Sequence, residues 1–279
     1  MDMKNRILFG VKGEKIYYKI ISARFPKGSK FYPSEGHFIM RKQEDKKKEV
    51  YLHFDAAPLG YLSIAAHGHA DALSFILHID GQQVLVDPGT YTYHDDPVWR
   101  KYFISTLAHN TVRINREDQA INGGPTLWVR HYKTKVEEWS SSQEIDHLIA
   151  SHDGYNRLGI YHSREIDFDK IKMEIRIKDI LFSNKKRSYF IEIPFHLHPK
   201  IRIENLGVSA FVLKTPSERS VEISTDRRMK SKVIKGRVSP EITGWYSGSF
   251  LQKEPAHTIL ASYVSGKREE IFYTIIKIN

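Results

Sequence analysis

KIKMEIRIKDILF, residues 170–182, alternates apolar and charged side chains through most of its length. A period of two is the mark of a strand with one wet face, not of a helix. Working outward, SYFIEIPFHLHPKIRIE (188–204) repeats the pattern after the turn-like Ser183-Asn184-Lys185-Lys186. LSFILHIDGQQVLVDPG (73–89) is the clearest hairpin, with Asp80-Gly81 at its tip. TILASYV (258–264) and EEIFYTIIKI (269–278) flank Ser265-Gly266-Lys267 and read as a final hairpin. No segment sustains helical periodicity over ten residues. One short helix is expected from Asp96 to Ser105, with Pro97 in its first turn. Strand after strand, rich in aromatic residues and punctuated by turns, predicts an all-β protein built as a large antiparallel sandwich.

Composition narrows the function. At 279 residues the chain is long enough for a large core, and 41% hydrophobic with 27% charged excludes wholesale disorder. With no cysteine there is no disulfide, thiolate ligand or cysteine nucleophile. No apolar run approaches the roughly 18 residues of a membrane span, and MDMKNRILFG holds no apolar stretch of signal-peptide length. Lys and Arg number 43 against 33 Asp and Glu, a net charge of +10, which favours an anionic partner. The basic residues are evenly scattered, without a basic helix or an aromatic RNA-binding signature, so nucleic acid is not the expected partner. The run Glu44-Asp45-Lys46-Lys47-Lys48-Glu49 reads as a solvated hairpin tip.

The chemistry concentrates between His67 and His109, in AAHGHADALSF, LVDPGTYTYHDDPVWRKYF and STLAHNTVRIN. A buried histidine needs partners for both ring nitrogens, and a metal or carboxylate is a common solution. If Asp80-Gly81 is a two-residue turn, Ile79 pairs with Gln82 and Asp87 falls opposite Ser74. His69 would then lie about 17 Å farther along a continuing strand. His69 and Asp87 meet only if 67–71 leaves the strand and folds back, which Gly68 and Ala70 permit. His69, Asp87 and His109 would form a two-histidine, one-carboxylate set suited to zinc with a water, or to a ferrous ion. The alternative is that His69 and His109 are core histidines bonded to backbone carbonyls. A cupin would need a glutamate soon after H-x-H, and 70–75 contain none. His69 and Asp71 with His109 also mimic the facial triad of iron oxygenases, for which Arg113 is the one candidate cosubstrate anchor. No G-x-S-x-G elbow or phosphate-binding glycine loop is present.

Taken together, HGHADALSF (67–75), VDPGTYTY (86–93), WRKYF (99–103), AHNTV (108–112) and SHDGYNRLG (151–159) resemble the heparinase II/III-like family. FHLHP (195–199) and GWYS (244–247) extend the match. The resemblance implies a large antiparallel β-sandwich (supersandwich) over 30–279 after a 1–29 lead-in, without the N-terminal α/α toroid of the family. It implies a polysaccharide lyase acting by β-elimination on uronate-containing acidic polysaccharides such as glycosaminoglycans or alginate. It further implies that His67 is the catalytic cleft histidine, doing acid/base or substrate-orienting work. His69, Asp87 and His109 match the family's metal positions, usually zinc with a mainly structural role. Tyr91, Tyr93, Trp99, Arg100 and Tyr102 would line the substrate groove, Arg100 pairing a uronate carboxylate. For Trp99 and Tyr102 the competing reading is core packing, and for Arg100 a structural ion pair. Asn110, His152, Asp153, Tyr155, His196 and His198 read as structural.

The toroid normally supplies a tyrosine and a carboxylate-neutralising residue, so the chain alone is expected to eliminate weakly or not at all. A separate toroid subunit or domain is the expected partner, beside the acidic polysaccharide itself. The alternative function is a non-catalytic acidic-polysaccharide-binding module. By family analogy the location is periplasmic or secreted.

Overall fold

The alternation at 170–182 becomes the strand Glu174–Ser183, an inner member of an eight-stranded antiparallel sheet. The computed structural model describes residues 3–19, 28–44, 48–185 and 187–279. Ile175, Ile177 and Leu181 point into the core, while Arg176 and Phe182 face solvent. Lys170–Met173 form the preceding turn instead of extending the strand. The strand pairs on one side with Ile160–Asp169 and on the other with Glu269–Ile278, its Ile177 lying opposite Ile166 and Thr274. Outward from these lie Ile145–His152 and Thr134–Ser141 at one edge, and Ser220–Ser224, Ala210–Lys214 and Arg202–Asn205 at the other.

A four-stranded sheet runs Lys230–Lys235, His257–Ser265, Tyr189–His196, Arg113–Ile114. Its edge strand KSKVIK exposes three lysines, which discourages pairing with another chain. The two C-terminal strands do not form the expected hairpin. His257–Ser265 belongs to the four-stranded sheet and Glu269–Ile278 to the eight-stranded one, so Ser265-Gly266-Lys267 crosses between sheets. Glu174–Ser183 and Tyr189–His196 likewise lie in different sheets, and Lys186 between them is outside the described residues. Alternation is identical in a hairpin arm and in a strand that changes sheets, so the pattern cannot separate them.

A five-stranded meander, Lys30–Tyr32, His37–Gln43, Glu49–Asp55, Phe75–Ile79 and Gln82–Leu85, completes the main sheets. Gln43 pairs with Glu49, and the charged tip between them includes 45–47, outside the described residues. At Asp80-Gly81 both residues have positive φ, 53° and 74°, and Ile79 pairs with Gln82 as expected of a tight hairpin. A bulge at Leu77/His78 then slips the register by one, pairing Leu77 with Leu85 and overturning the simple Ser74–Asp87 alignment. One continuous core joins Phe38, Leu52 and Leu77 of the meander to Ile177 and Phe168 of the long sheet and Ile193 of the short one.

The short helix is present as Pro97–Phe103, with Asp96 capping it through its carboxylate to the Trp99 amide. A second helix, Met3–Lys19, was not legible from periodicity. Its Ile7, Leu8, Phe9, Val11, Ile16 and Tyr17 are all exposed and form no single stripe, and Gly10 interrupts the helical backbone. The sandwich strands begin at Lys30, and residues 20–27 of the segment before them lie outside the described residues.

Candidate active site

The long connection from Glu49–Asp55 to Phe75–Ile79 carries His67, His69 and Asp71. The fifth meander strand runs directly into Asp87, and the helix Pro97–Phe103 leads through a 3-10 turn, Thr106–Ala108, to His109. Residues 67–71 do fold back. One donor atom from each of His69, Asp71, Asp87 and His109 lies within 4.8 Å of the others. The backbone is bent sharply to achieve this: Ala65, His67, Leu73 and Tyr91 all have positive φ without being glycine, a conformation that costs on the order of 1–2 kcal/mol per residue. Gly68 is needed for another reason, since a Cβ there would meet the Gly60 backbone at 2.8 Å.

Asp87 accepts from the His109 ring at Nδ1 (2.8 Å) through one oxygen and from the Gly89 amide (2.8 Å) through the other. Desolvation would raise the Asp87 carboxyl, but the His109 ring outweighs it and holds the group well below the usual carboxylate range. Burial, reinforced by His109, pushes His69 down to about 3, so its ring is neutral and able to ligate. Burial raises Asp71 to about 7, and the Tyr132 hydroxyl donates to it at 3.3 Å. The Nε2 of His109 is buried without a hydrogen-bond partner among the described residues. An orphaned ring nitrogen among neutral imidazole and carboxylate donors fits a zinc-type cation.

His67 is exposed beside this cluster, its Nδ1 3.1 Å from the Tyr93 hydroxyl and the two rings edge-to-face at 5.2 Å. Beneath Tyr93 lies Arg100, only 2% exposed, its guanidinium 4.7 Å from the phenol centroid. Tyr91 and Trp99 are half-buried and pack on Phe103, and the Tyr102 ring is buried with its hydroxyl accepting from the Trp245 amide. Sequence reasoning missed Lys253, whose Nζ donates to the Tyr91 hydroxyl at 2.8 Å and sits over the Tyr91 and Trp99 rings. It also missed Trp128, which pins the fold-back by donating to the Gly68 carbonyl. Neither residue stands near a motif, so no local signal marked them.

The remaining polar residues are committed elsewhere. Arg113 pairs with Glu192 and Glu241 and is not free to anchor a cosubstrate. Asn110 donates to the Phe75 and Val86 carbonyls and accepts from the His196 amide, locking the meander to the short sheet. His196 is bonded to the Leu107 carbonyl and Thr258, while His198 packs against Tyr246. His152 and Tyr155 are buried structural groups, the Tyr155 hydroxyl donating to the Val112 carbonyl, and Asp153 accepts from the Lys133 amide.

A family model described as heparinase II/III-like, C-terminal, matches residues 24–274. Among solved structures, a heparinase III superposes with a TM-score of 0.75 at 17% identity over 98% of this chain and 40% of its own. The heparan sulfate lyase HepC from Pedobacter heparinus gives 0.73 at 16% identity, over 99% of this chain and 40% of its own. A further heparinase III structure gives 0.76 at 12% identity, over 99% of this chain and 43% of its own. The chain therefore spans about two fifths of the length of these structures. No curated protein matches it by sequence.

Proposed function

Because this chain belongs to the heparinase II/III-like C-terminal family, we propose that it is the β-sandwich part of a polysaccharide lyase acting on uronate-containing acidic polysaccharide. The observation that carries the reading is His67, exposed on a strained backbone beside the histidine–aspartate cluster with its ring held against Tyr93. In β-elimination a base removes the C5 proton of the uronate, and the C5–H electron pair becomes the C4–C5 double bond. The C4–O pair leaves with the glycosidic oxygen, which takes a proton from an acid. His67 has the exposure and ring chemistry to orient the sugar or carry one of these protons, and Tyr93 fixes its ring. The net charge of +10 suits a polyanion.

His69, Asp87 and His109, with Asp71 beside them, would hold zinc. When bound, the ion would supply fixed positive charge and tie together the three segments that carry these ligands. Tyr91, Trp99 and Lys253 form one cation–aromatic cluster, and Arg100 lies under the Tyr93 ring. Tyr61, Leu62, Ile64, Val129 and Phe250 are exposed apolar residues near His67 and Tyr93. Such a rim suits a helical toroid partner, which would supply the tyrosine and the carboxylate-neutralising group.

The test is to incubate the chain with heparan sulfate and alginate, alone and with the toroid domain of a heparinase III. Ultraviolet absorbance from unsaturated uronate ends, lost on His67→Ala, is the expected result. Salt-sensitive binding without product under every condition would leave a polysaccharide-binding module instead.

A further inference from the structure

Arg100 is an anomaly for a structural residue. Its Nε donates to the Pro125 carbonyl at 2.8 Å, yet Nη1 and Nη2 are buried without a hydrogen-bond partner. It forms no ion pair among the described residues. A buried guanidinium with two idle nitrogens is costly unless something pairs with it, and its planar fork matches an oxyanion. Tyr93 lies against it, its ring 4.7 Å from the guanidinium while its hydroxyl engages His67 Nδ1.

We propose that Tyr93 is a hinged cover over an oxyanion subsite formed by Arg100, so that capture of a sugar carboxylate or sulfate displaces Tyr93 and frees His67 Nδ1. The inference rests on reading the cleft as an acidic-sugar site, and it adds an order of events. The anion arrives first, its two oxygens take the Nη1 and Nη2 hydrogens, the phenol swings off the guanidinium, and the Tyr93–His67 hydrogen bond breaks. Recognition of charge and release of the cleft histidine become one motion. A neutral sugar lacks the group that displaces the cover. Arg100 is here a binding residue and Tyr93 a positioning residue.

The experiment titrates the full chain with glucuronate and, separately, with inorganic sulfate, following the His67 ring signal by NMR at fixed pH, assigned through His67→Gln. Both anions are expected to bind saturably and shift that signal if any oxyanion serves; a response to one alone identifies the group captured. Tyr93→Ala, with no ring to displace, should bind several-fold more tightly than the wild type. Arg100→Gln should lose binding by about tenfold or more. Tyr93→Phe should still bind while the His67 response shrinks. Failure of Tyr93→Ala to tighten binding overturns the cover, even if Arg100→Gln does not fold. Binding unchanged in a folded Arg100→Gln overturns the subsite. If polymer is cleaved normally by Arg100→Gln, the lyase reading stands and this one falls. If polymer never binds but the small anions still respond as described, the reverse holds.

Discussion

Two clusters of histidine and aspartate lie within one arginine's reach of each other, the first partly open to solvent and the second fully buried, and they differ in whether their donors are spent. In the first, His69, Asp71, Asp87 and His109 converge and His109 Nε2 has no partner. In the second, the Gly154 amide donates to His152 Nδ1, His152 Nε2 meets His162 Nδ1 at 3.0 Å, and His162 Nε2 meets Asp179 at 2.8 Å. Arg164 closes that chain with two bonds to Asp179, then donates Nη1 to the Leu73 and Asn110 carbonyls, the backbone flanking the first cluster. None of these buried nitrogens or carboxylate oxygens is left without a partner. Both gather histidine and aspartate; the buried nitrogen without a partner distinguishes the first from the fully paired scaffold behind it, as the proposed metal site requires.

The largest effect expected from this contrast is on stability. Arg164 and Asp179 are both essentially inaccessible to water, so Arg164→Met, which strands the aspartate, should cost about 3–5 kcal/mol in urea unfolding. A loss under 1 kcal/mol would show that the second cluster is not scaffold. Next comes the metal. At a hundredfold excess over its dissociation constant, zinc should stabilise the chain by about 2.7 kcal/mol, an increment that His109→Ala removes and His152→Gln does not.

A smaller effect is set by pH. Burial holds His152 and His162 below their ordinary 6.5, so between pH 6.5 and 5 the unfolded chain binds protons that the folded one refuses. Their contribution is complete above pH 6.5 and falls as acid protonates the unfolded chain. The His152→Gln unfolding profile should be flatter over that range. Asp179, held to about 2, adds acid lability only below its unfolded value of 3.8. The smallest effect belongs to the outer face: Lys178→Ala breaks a partly exposed pair with Glu165 and should change stability by less than about 1 kcal/mol.

Much of this was legible in the chain itself. Alternation located Glu174–Ser183, Asp80-Gly81 announced its turn, and Asp96-Pro97 announced a helix, because each is governed by local physics. The spacing of His69 and Asp87 also showed that they could meet only through a fold-back of 67–71, which the structure contains. What was illegible depends on distant partners. Asp179 sits on the core face of a strand whose charges read as wet, and only Arg164 and His162 across the sheet explain it. Lys253 reaches Tyr91 from 162 residues away. The strand-to-strand link at Ser265-Gly266-Lys267 carries no mark of the sheet it enters. Met3–Lys19 escaped because an exposed helix buries no stripe.

Metal analysis of zinc-equilibrated, dialysed protein separates the two clusters most directly. One ion per chain is expected in the wild type and in His162→Gln, and none in His109→Ala. No metal in the wild type, or an ion that persists in His109→Ala and disappears in His162→Gln, would contradict the assignment of the first cluster as the ligand site.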